Sequence, residues 1–226
     1  MPSTPNYRII INKYISDLKK ICGGNLLLVA VTGSISERDY IIGWSDIDLV
    51  VVLEKMIPEQ LIKIGKLERV GVSVVGYNDF KSKIMAPKVK YGLKQKSCNI
   101  IFAKIKIPRI NLQEITGDFK TVLTFYYGDV IKSATRGITS ESVKKGIKLI
   151  FIMIKVIARE HGKNLRSYDD CIKFVKKIGL DYDIYQNLNN LRLKWNDVEN
   201  FDSVMMDVLL AVEELFSYGK KILQKK

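Results

Sequence analysis

Histidine is almost absent from this 226-residue chain, and its three cysteines form no close pair. The single histidine is His161, so no Cys/His cluster exists that would hold zinc. Cys22, Cys98 and Cys171 lie far apart in the sequence, which is typical of reduced thiols in a cytoplasmic protein. These shortages exclude a zinc-binding module and a small disulfide-stabilised scaffold.

Long apolar stretches are missing as well. The longest apolar stretch, residues 149–154 followed after Lys155 by residues 156–158, is about half of the roughly 20 residues that a membrane-spanning helix needs. The first twenty residues are amphipathic and lack the continuous apolar core of a secretory signal peptide. The sequence therefore predicts a cytoplasmic protein without a membrane partner.

Acidic residues are scarce where basic ones are dense. The formal net charge is +13, and residues 81–109 contain basic residues throughout and no acid. A general preference for lysine explains part of this charge, since most of the basic residues are lysines. Its concentration in one stretch favours a surface that faces a polyanion such as RNA.

The chain changes its hydrophobic periodicity near its middle. The first half alternates between helical and strand-like patterns, with helices predicted at residues 6–21 and 57–68 and strands at 25–32, 46–54, 69–77 and 97–107. From about residue 117 the period becomes 3.6 and predicts five helices, at residues 118–137, 140–162, 167–179, 182–195 and 201–224. We therefore expect an α/β domain over residues 1–115 and a helical bundle over 116–226.

Two carboxylates stand at the start of the most hydrophobic strand. In a strand, Asp46 and Asp48 would point to one face while Ile47 points to the other. Two neighbouring carboxylates repel each other unless a cation lies between them, and Mg²⁺ binds through one or two carboxylates together with substrate phosphates. The alternative is a pair of solvated aspartates at the edge of a strand.

A glycine and a serine follow the preceding strand. Gly33 permits a close approach of the backbone, and Ser34 offers a hydroxyl and an N–H group where a short helix would start. Such a turn suits a phosphate group. Facing Asp46 and Asp48 across adjacent strands, it would place a triphosphate opposite the metal that bridges it.

These residues resemble the signature of the DNA polymerase beta-like nucleotidyltransferase superfamily. The signature runs from a hydrophobic strand through Gly-Ser and about ten further residues to Asp-hydrophobic-Asp, and "VAVTGS" and "DIDL" match it here. The helical second half is similar in layout to the substrate domain of the kanamycin and streptomycin nucleotidyltransferases. The resemblance implies an α+β fold, with a mixed nucleotidyltransferase sheet and flanking helices followed by a C-terminal helical bundle that binds the acceptor.

The resemblance also implies an activity and assigns roles to residues. It implies Mg²⁺-dependent transfer of a nucleoside monophosphate from a nucleoside triphosphate (NTP) to a hydroxyl, with one or two metal ions. Asp46 and Asp48 would be catalytic and would ligate Mg²⁺. The nucleotide would be bound by Gly33, Ser34, Arg38 and Ser45.

The family pattern departs from this sequence at its third carboxylate. The expected position, on the strand after Asp48, falls on Gly71 or Ser73, and Asp79 lies too far along that strand to replace it. Acids later in the chain are the candidates for a replacement: Glu114, Asp118 and Asp129. Ser73 or a water molecule could instead complete a slower site. The remaining alternative is a catalytically degenerate protein that binds nucleotide or nucleic acid, as in a toxin–antitoxin or regulatory complex.

Two aromatic or titratable residues have less specific roles. Trp44, beside Ser45, would either pack against a nucleotide or anchor its loop. His161 precedes Gly162 at a predicted helix end, so we expect it to cap that helix rather than act as a base.

Overall fold

The computed structural model describes residues 7–37, 40–41, 44–67, 70–93, 98–110 and 119–225. The chain divides into two compact units, Met1–Ile115 and Thr116–Lys226. Arg38, Glu114 and Asp118, which the sequence analysis names as candidate site residues, lie outside the described residues.

The described residues of the first unit alternate between helices and four strands. Its elements, in chain order, are α1 (Tyr7–Cys22), β1 (Leu26–Thr32), α2 (Ser34–Glu37), β2 (Asp48–Leu53), α3 (Pro58–Gly65), β3 (Gly71–Gly76), α4 (Tyr77–Lys81), α5 (Pro87–Leu93) and β4 (Asn99–Ala103).

The four strands form one mixed sheet in the order β3-β2-β1-β4. β1 pairs antiparallel with both β2 and β4, whereas β2 and β3 run parallel. Together with the helices that follow, this sheet confirms the predicted α+β class.

Alternating side chains of β2 build two separate cores, one on each face of the sheet. Leu49 and Val51 pack on the side of α1, against residues such as Leu18. Val50 and Val52 pack on the opposite side, against residues of α4 and α5 that include Phe80. Because the period of a strand is two, the same alternation decides which face each residue before Val50 occupies.

The sequence prediction differs from the structure at the start of β2. The strand begins at Asp48 rather than at Asp46. β1 ends at Thr32, which pairs with Asp48, and β3 begins at Gly71, which also pairs with Asp48. Among the described residues, no strand continues the ladder beside Asp46.

The described part of the second unit contains five α-helices, as the periodicity predicts. They are α6 (Phe119–Thr135), α7 (Ser140–Glu160), α8 (Tyr168–Lys177), α9 (Tyr182–Leu193) and α10 (Phe201–Gln224). α7 supplies the central core, with apolar side chains buried along its length that include Ile147, Ile150 and Ile154. His161 is the C-cap residue of α7, which confirms the capping role predicted for it.

Two glycines let the helices of the second unit approach closely. A Cβ atom at Gly146 would lie 2.8 Å from Cγ1 of Val208, and one at Gly219 would overlap Cδ2 of Leu123. No helix among the residues described is long and apolar enough to cross a lipid bilayer.

Candidate active site

Asp48 lies where three strands meet at one end of the sheet. Its Cα is paired with Thr32 on one side and with Gly71 on the other. Its neighbours Ile47 and Leu49 are both buried in the core on the α1 side. The Asp48 side chain therefore points to the opposite face of the sheet, the face that packs against α4 and α5.

The Asp48 carboxylate lies against two glycine backbones. A Cβ atom at Gly33 would come within 2.7 Å of Oδ2, and one at Gly71 within 3.0 Å of Oδ1. A Cβ at Gly33 would force Oδ2 to move, whereas one at Gly71 would require only a slight shift of Oδ1, so the absence of both Cβ atoms leaves this carboxylate in place. Gly33 also has φ of +67°, a left-handed conformation that glycine adopts without strain.

Asp46 lies just before the strand and has a different environment. Its side chain is exposed, whereas that of Asp48 is half-buried. Two acids separated by one residue thus combine one carboxylate fixed by its surroundings with one open to solvent. This combination suits a cation that is approached from the solvent side.

The turn after β1 brings the predicted phosphate-binding residues to the same end of the sheet. Gly33 directly precedes Ser34, which is the first residue of α2. The Ser36 hydroxyl donates to the Gly33 carbonyl at 2.9 Å. This bond leaves the Gly33 carbonyl turned into α2 and braces the turn beside Asp48.

Ser45 has a structural contact that the sequence does not predict. Its hydroxyl accepts a hydrogen bond from the Ile41 N–H at 3.0 Å, and its own N–H donates to the Ile41 carbonyl at 2.8 Å. Trp44 next to it is 1% exposed. Of the two interpretations of Trp44, the structure supports the loop anchor, since a buried indole offers no face to a nucleotide.

The third carboxylate is absent from the strand beside Asp48. Gly71 occupies the paired position, and Ser73 pairs with Val50, which places Ser73 on the Asp48 face. Asp79 lies beyond the far end of β3, in α4. Asp129 is in the second unit, where its carboxylate forms an ion pair with Lys145 at 2.8 Å.

The donor set fits a divalent cation only together with substrate phosphates. Within the described part of the chain, no three or more His, Cys, Asp and Glu side chains are grouped so that they could hold a metal ion. Asp46 and Asp48 supply carboxylate oxygens at this end of the sheet. Mg²⁺ commonly binds through one or two carboxylates and completes its shell with phosphate oxygens and water.

Thr32 and α5 border the Asp48 face, and the sequence analysis missed both. Thr32 is buried, and its hydroxyl makes a long hydrogen bond of 3.5 Å to the Asp48 carbonyl. A Cβ atom at Gly92 of α5 would lie 3.0 Å from Cγ2 of Thr32. Gly92 thus lets α5 pack directly on the end of β1, and only its position in a basic stretch distinguishes it in the sequence.

The part of the chain that contains Asp46 and Asp48 matches a known domain family. Residues 11–110 match the nucleotidyltransferase domain family, and this range contains every element from the middle of α1 to β4. No curated protein sequence matches the chain significantly.

A solved structure shares the fold of this chain over nearly its whole length. The spectinomycin adenyltransferase from Enterococcus faecialis, determined with ATP and spectinomycin, aligns with a TM-score of 0.65 and 12% identity, covering 94% of this chain and 99% of that one. A nucleotidyltransferase-like protein from Exiguobacterium sibiricum 255-15 aligns with a TM-score of 0.38 and 13% identity, over 96% of this chain and 76% of that one. The domain match and the fold shared with the adenyltransferase confirm the resemblance inferred from the sequence.

Proposed function

We propose that this chain, whose residues 11–110 match the nucleotidyltransferase domain, moves a nucleoside monophosphate from an NTP to a hydroxyl acceptor. The observation that carries the proposal is the Asp48 carboxylate at the end of the sheet, with Gly33 and Gly71 against its two oxygens. The fold shared with an adenyltransferase that was solved with ATP supports an NTP as the donor.

Each residue near Asp48 has a role in this proposal. The turn at Gly33 and Ser34 binds the β- and γ-phosphates, assisted by Arg38, and Ser45 holds the intervening loop in place for the nucleotide. Asp46 and Asp48 ligate one or two Mg²⁺ ions. Bound Mg²⁺ supplies positive charge that offsets the negative charge of the phosphates during transfer.

The charge of the chain bears on the acceptor. A polycationic aminoglycoside would need an acidic pocket, whereas this chain carries a net charge of +13. A polyanionic acceptor such as RNA matches that charge. The three cysteines are free thiols, which supports the cytoplasm as the compartment.

Label transfer from NTP tests the proposal. The full chain is incubated with labelled NTPs, Mg²⁺ and total RNA, alongside Asp48→Asn, Asp46→Asn and the control Asp79→Asn. Asp79 is an exposed acid in the same unit but beyond the other end of β3. We expect transfer to fall about 100-fold or more in the first two variants, while the control stays at the wild-type rate. Equal transfer by wild type and Asp48→Asn would exclude a role for this carboxylate.

A second candidate function follows from Gly71. Because glycine occupies the position paired with Asp48, the strand that normally supplies the third carboxylate in this family supplies none here. This observation favours a protein that binds nucleotide without transferring it, as part of a toxin–antitoxin or regulatory complex. Magnesium-dependent NTP binding without label transfer to any acceptor would identify this second function, whereas transfer would exclude it.

A further inference from the structure

A cavity of about 280 Å³ lies on the side of the sheet opposite to the Asp48 side chain. It is lined by residues of α1, β1, α2 and β4. Its floor is apolar and consists of Ile11, Val31 and Ile35, all of which are buried in the core on the α1 side. Asp48 points away from this core, so the cavity is not part of the proposed active site.

The rim of the cavity is polar and carries one positive charge. Arg8, Asn12 and Asn99 line the cavity, together with Tyr7. Within the described part of the chain, no hydrogen bond or ion pair engages the Arg8 guanidinium or the amides of Asn12 and Asn99. A ligand can therefore meet these groups without breaking a contact among the described residues.

The first turn of α1 adds to the positive potential at Arg8. Tyr7 and Arg8 are the first two residues of this 16-residue helix, and its first turn contains no acidic residue. A helix start without a carboxylate favours negative charge, as the guanidinium of Arg8 does directly. The rim therefore favours an anionic group, whereas the floor favours an apolar or planar ring.

We propose that this cavity binds a small planar molecule that carries an anionic group, of the size of a nucleoside monophosphate. Ligand pockets commonly start at about 300 Å³, so the volume suits one small molecule. Arg8 pairs with the anion, and the amides of Asn12 and Asn99 hydrogen-bond the polar edge of the ring. The ring packs on the apolar floor and against Tyr7, which also contacts the ring of Tyr40 at a centroid distance of 5.7 Å.

The test titrates AMP, GMP, CMP and UMP into the full chain by calorimetry in EDTA. EDTA removes the magnesium that the proposed active site needs, so binding there does not contribute. The variants are Arg8→Ala, which removes the charge at the rim, and Ile101→Trp, which fills the cavity. Ile101 lines the cavity from edge strand β4 and is 45% exposed, so a larger side chain can be accommodated without disturbing the core. Circular dichroism checks the fold of each variant.

Two control variants separate this site from other effects. Lys13→Ala removes an equal charge from an exposed position of α1 that does not line the cavity. Asp48→Asn alters the proposed active site on the other face. We expect saturable binding of at least one mononucleotide, weakened about tenfold or more by Arg8→Ala, abolished by Ile101→Trp and unchanged in both controls.

Three results would overturn the proposal. The first is no binding of any of the four mononucleotides at millimolar concentration. The second is an equal loss in Lys13→Ala and Arg8→Ala, which would indicate general attraction between charges. The third is binding that is lost in Asp48→Asn but retained in Ile101→Trp. Because magnesium-dependent NTP binding is measured separately, each of these results leaves the proposed function to be judged by its own experiment.

Discussion

The position of the Asp48 carboxylate depends on two neighbouring residues that have no side chain. The two carboxylate oxygens lie 2.7 and 3.0 Å from where the Cβ atoms of residues 33 and 71 would be. The two glycines differ in one respect, because only Gly33 has a positive φ. A substitution at Gly33 therefore strains the backbone and displaces the carboxylate. A substitution at Gly71 only makes a tight contact with the carboxylate.

Alanine at these two positions should lower magnesium-dependent NTP binding to different extents. We expect about a tenfold or larger loss of affinity for Gly33→Ala, because a Cβ 2.7 Å from Oδ2 must move Asp48 and because alanine at φ of +67° costs roughly 1 kcal/mol or more. Gly71→Ala should give a smaller loss. Calorimetric titration with NTP and Mg²⁺ measures both.

Gly65→Ala is the matched control for these variants. A Cβ at Gly65 would meet no atom within 4 Å, and the residue ends α3. Its affinity for NTP should equal that of the wild type. If Gly33→Ala also binds as tightly as the wild type, the contact between Gly33 and Asp48 has no role in nucleotide binding.

Tyr14 is a second residue at which a substitution should stabilise the folded protein. Its side chain is buried in α1, and its hydroxyl has no hydrogen-bond partner among the residues that the structure describes. Burial, and then the neighbouring Cys22, raises the pKa of Tyr14 to about 12. A buried hydroxyl without a partner costs about 1–3 kcal/mol.

Replacing Tyr14 by phenylalanine removes that cost and keeps the ring. We expect Tyr14→Phe to raise the free energy of unfolding by about 1 kcal/mol in urea denaturation. The control Tyr7→Phe removes the hydroxyl of a half-buried tyrosine and should leave the stability unchanged. A loss of stability in Tyr14→Phe would mean that its hydroxyl has a partner, such as water, in solution.

The sequence predicts the acids of the candidate site but not their surroundings. Spacing alone predicts that Asp48 and Ile47 point to opposite faces, and the structure agrees. The close contact of Gly71 with Asp48 depends on the register between two strands that are separated by a helix. That register arises from tertiary packing, which one strand's pattern does not contain. The burial of Trp44 likewise depends on how its loop folds back.

At the scale of elements, α8 begins with a reciprocal pair of hydrogen bonds. The Ser167 hydroxyl accepts from the Asp170 N–H at 3.0 Å, and the Asp170 carboxylate accepts from the Ser167 and Arg166 N–H groups, each at 3.1 Å. Burial alone would raise the pKa of Asp170, but these bonds and the charge of Lys173 together hold it below its usual value. The ionised carboxylate therefore stabilises the start of this helix.

Stability at low pH should reveal this carboxylate. A pKa that is lower in the folded than in the unfolded chain adds stability above about pH 4, and this stability disappears as the pH falls through the folded value. We expect Asp170→Asn to be about 0.5–1 kcal/mol less stable than the wild type at pH 7, with the difference vanishing near pH 2. Urea denaturation across that range measures it, and a difference that stays constant with pH would contradict the assignment.

Helices and strands differ in how well the sequence predicts them. The five helices of the second unit follow their predicted positions to within a few residues, because each is long and has a clear apolar face. The short helices α4 and α5 were missed, since five and seven residues complete too few turns to show a period. β4 is shorter than predicted because alternation continues into Lys104 and Lys106 after the strand has ended.

At the scale of the whole molecule, the chain separates into two units with their own cores. The second unit buries side chains on all five of its helices, and Gly146 and Gly219 allow close contacts within it. These features are those of a domain that folds by itself.

We therefore expect residues 116–226 to fold when expressed alone. The fragment should show a helical circular dichroism spectrum and a single cooperative urea transition. Gly219→Leu in the same fragment serves as a control, because a large side chain there must displace Leu123 and should weaken or abolish the transition. A gradual loss of signal in the unmodified fragment would show that it depends on the first unit.

The chain has only two tryptophans, and each unit contains one of them. Trp44 is sealed in the first unit, whereas Trp195 in the second is half-buried and lies against the ring of Phe201. An indole shielded from water emits at shorter wavelength than a hydrated one. Replacing either tryptophan by phenylalanine thus leaves a protein with an intrinsic optical reporter for one unit, and the order in which the two halves melt can be recorded without any attached dye.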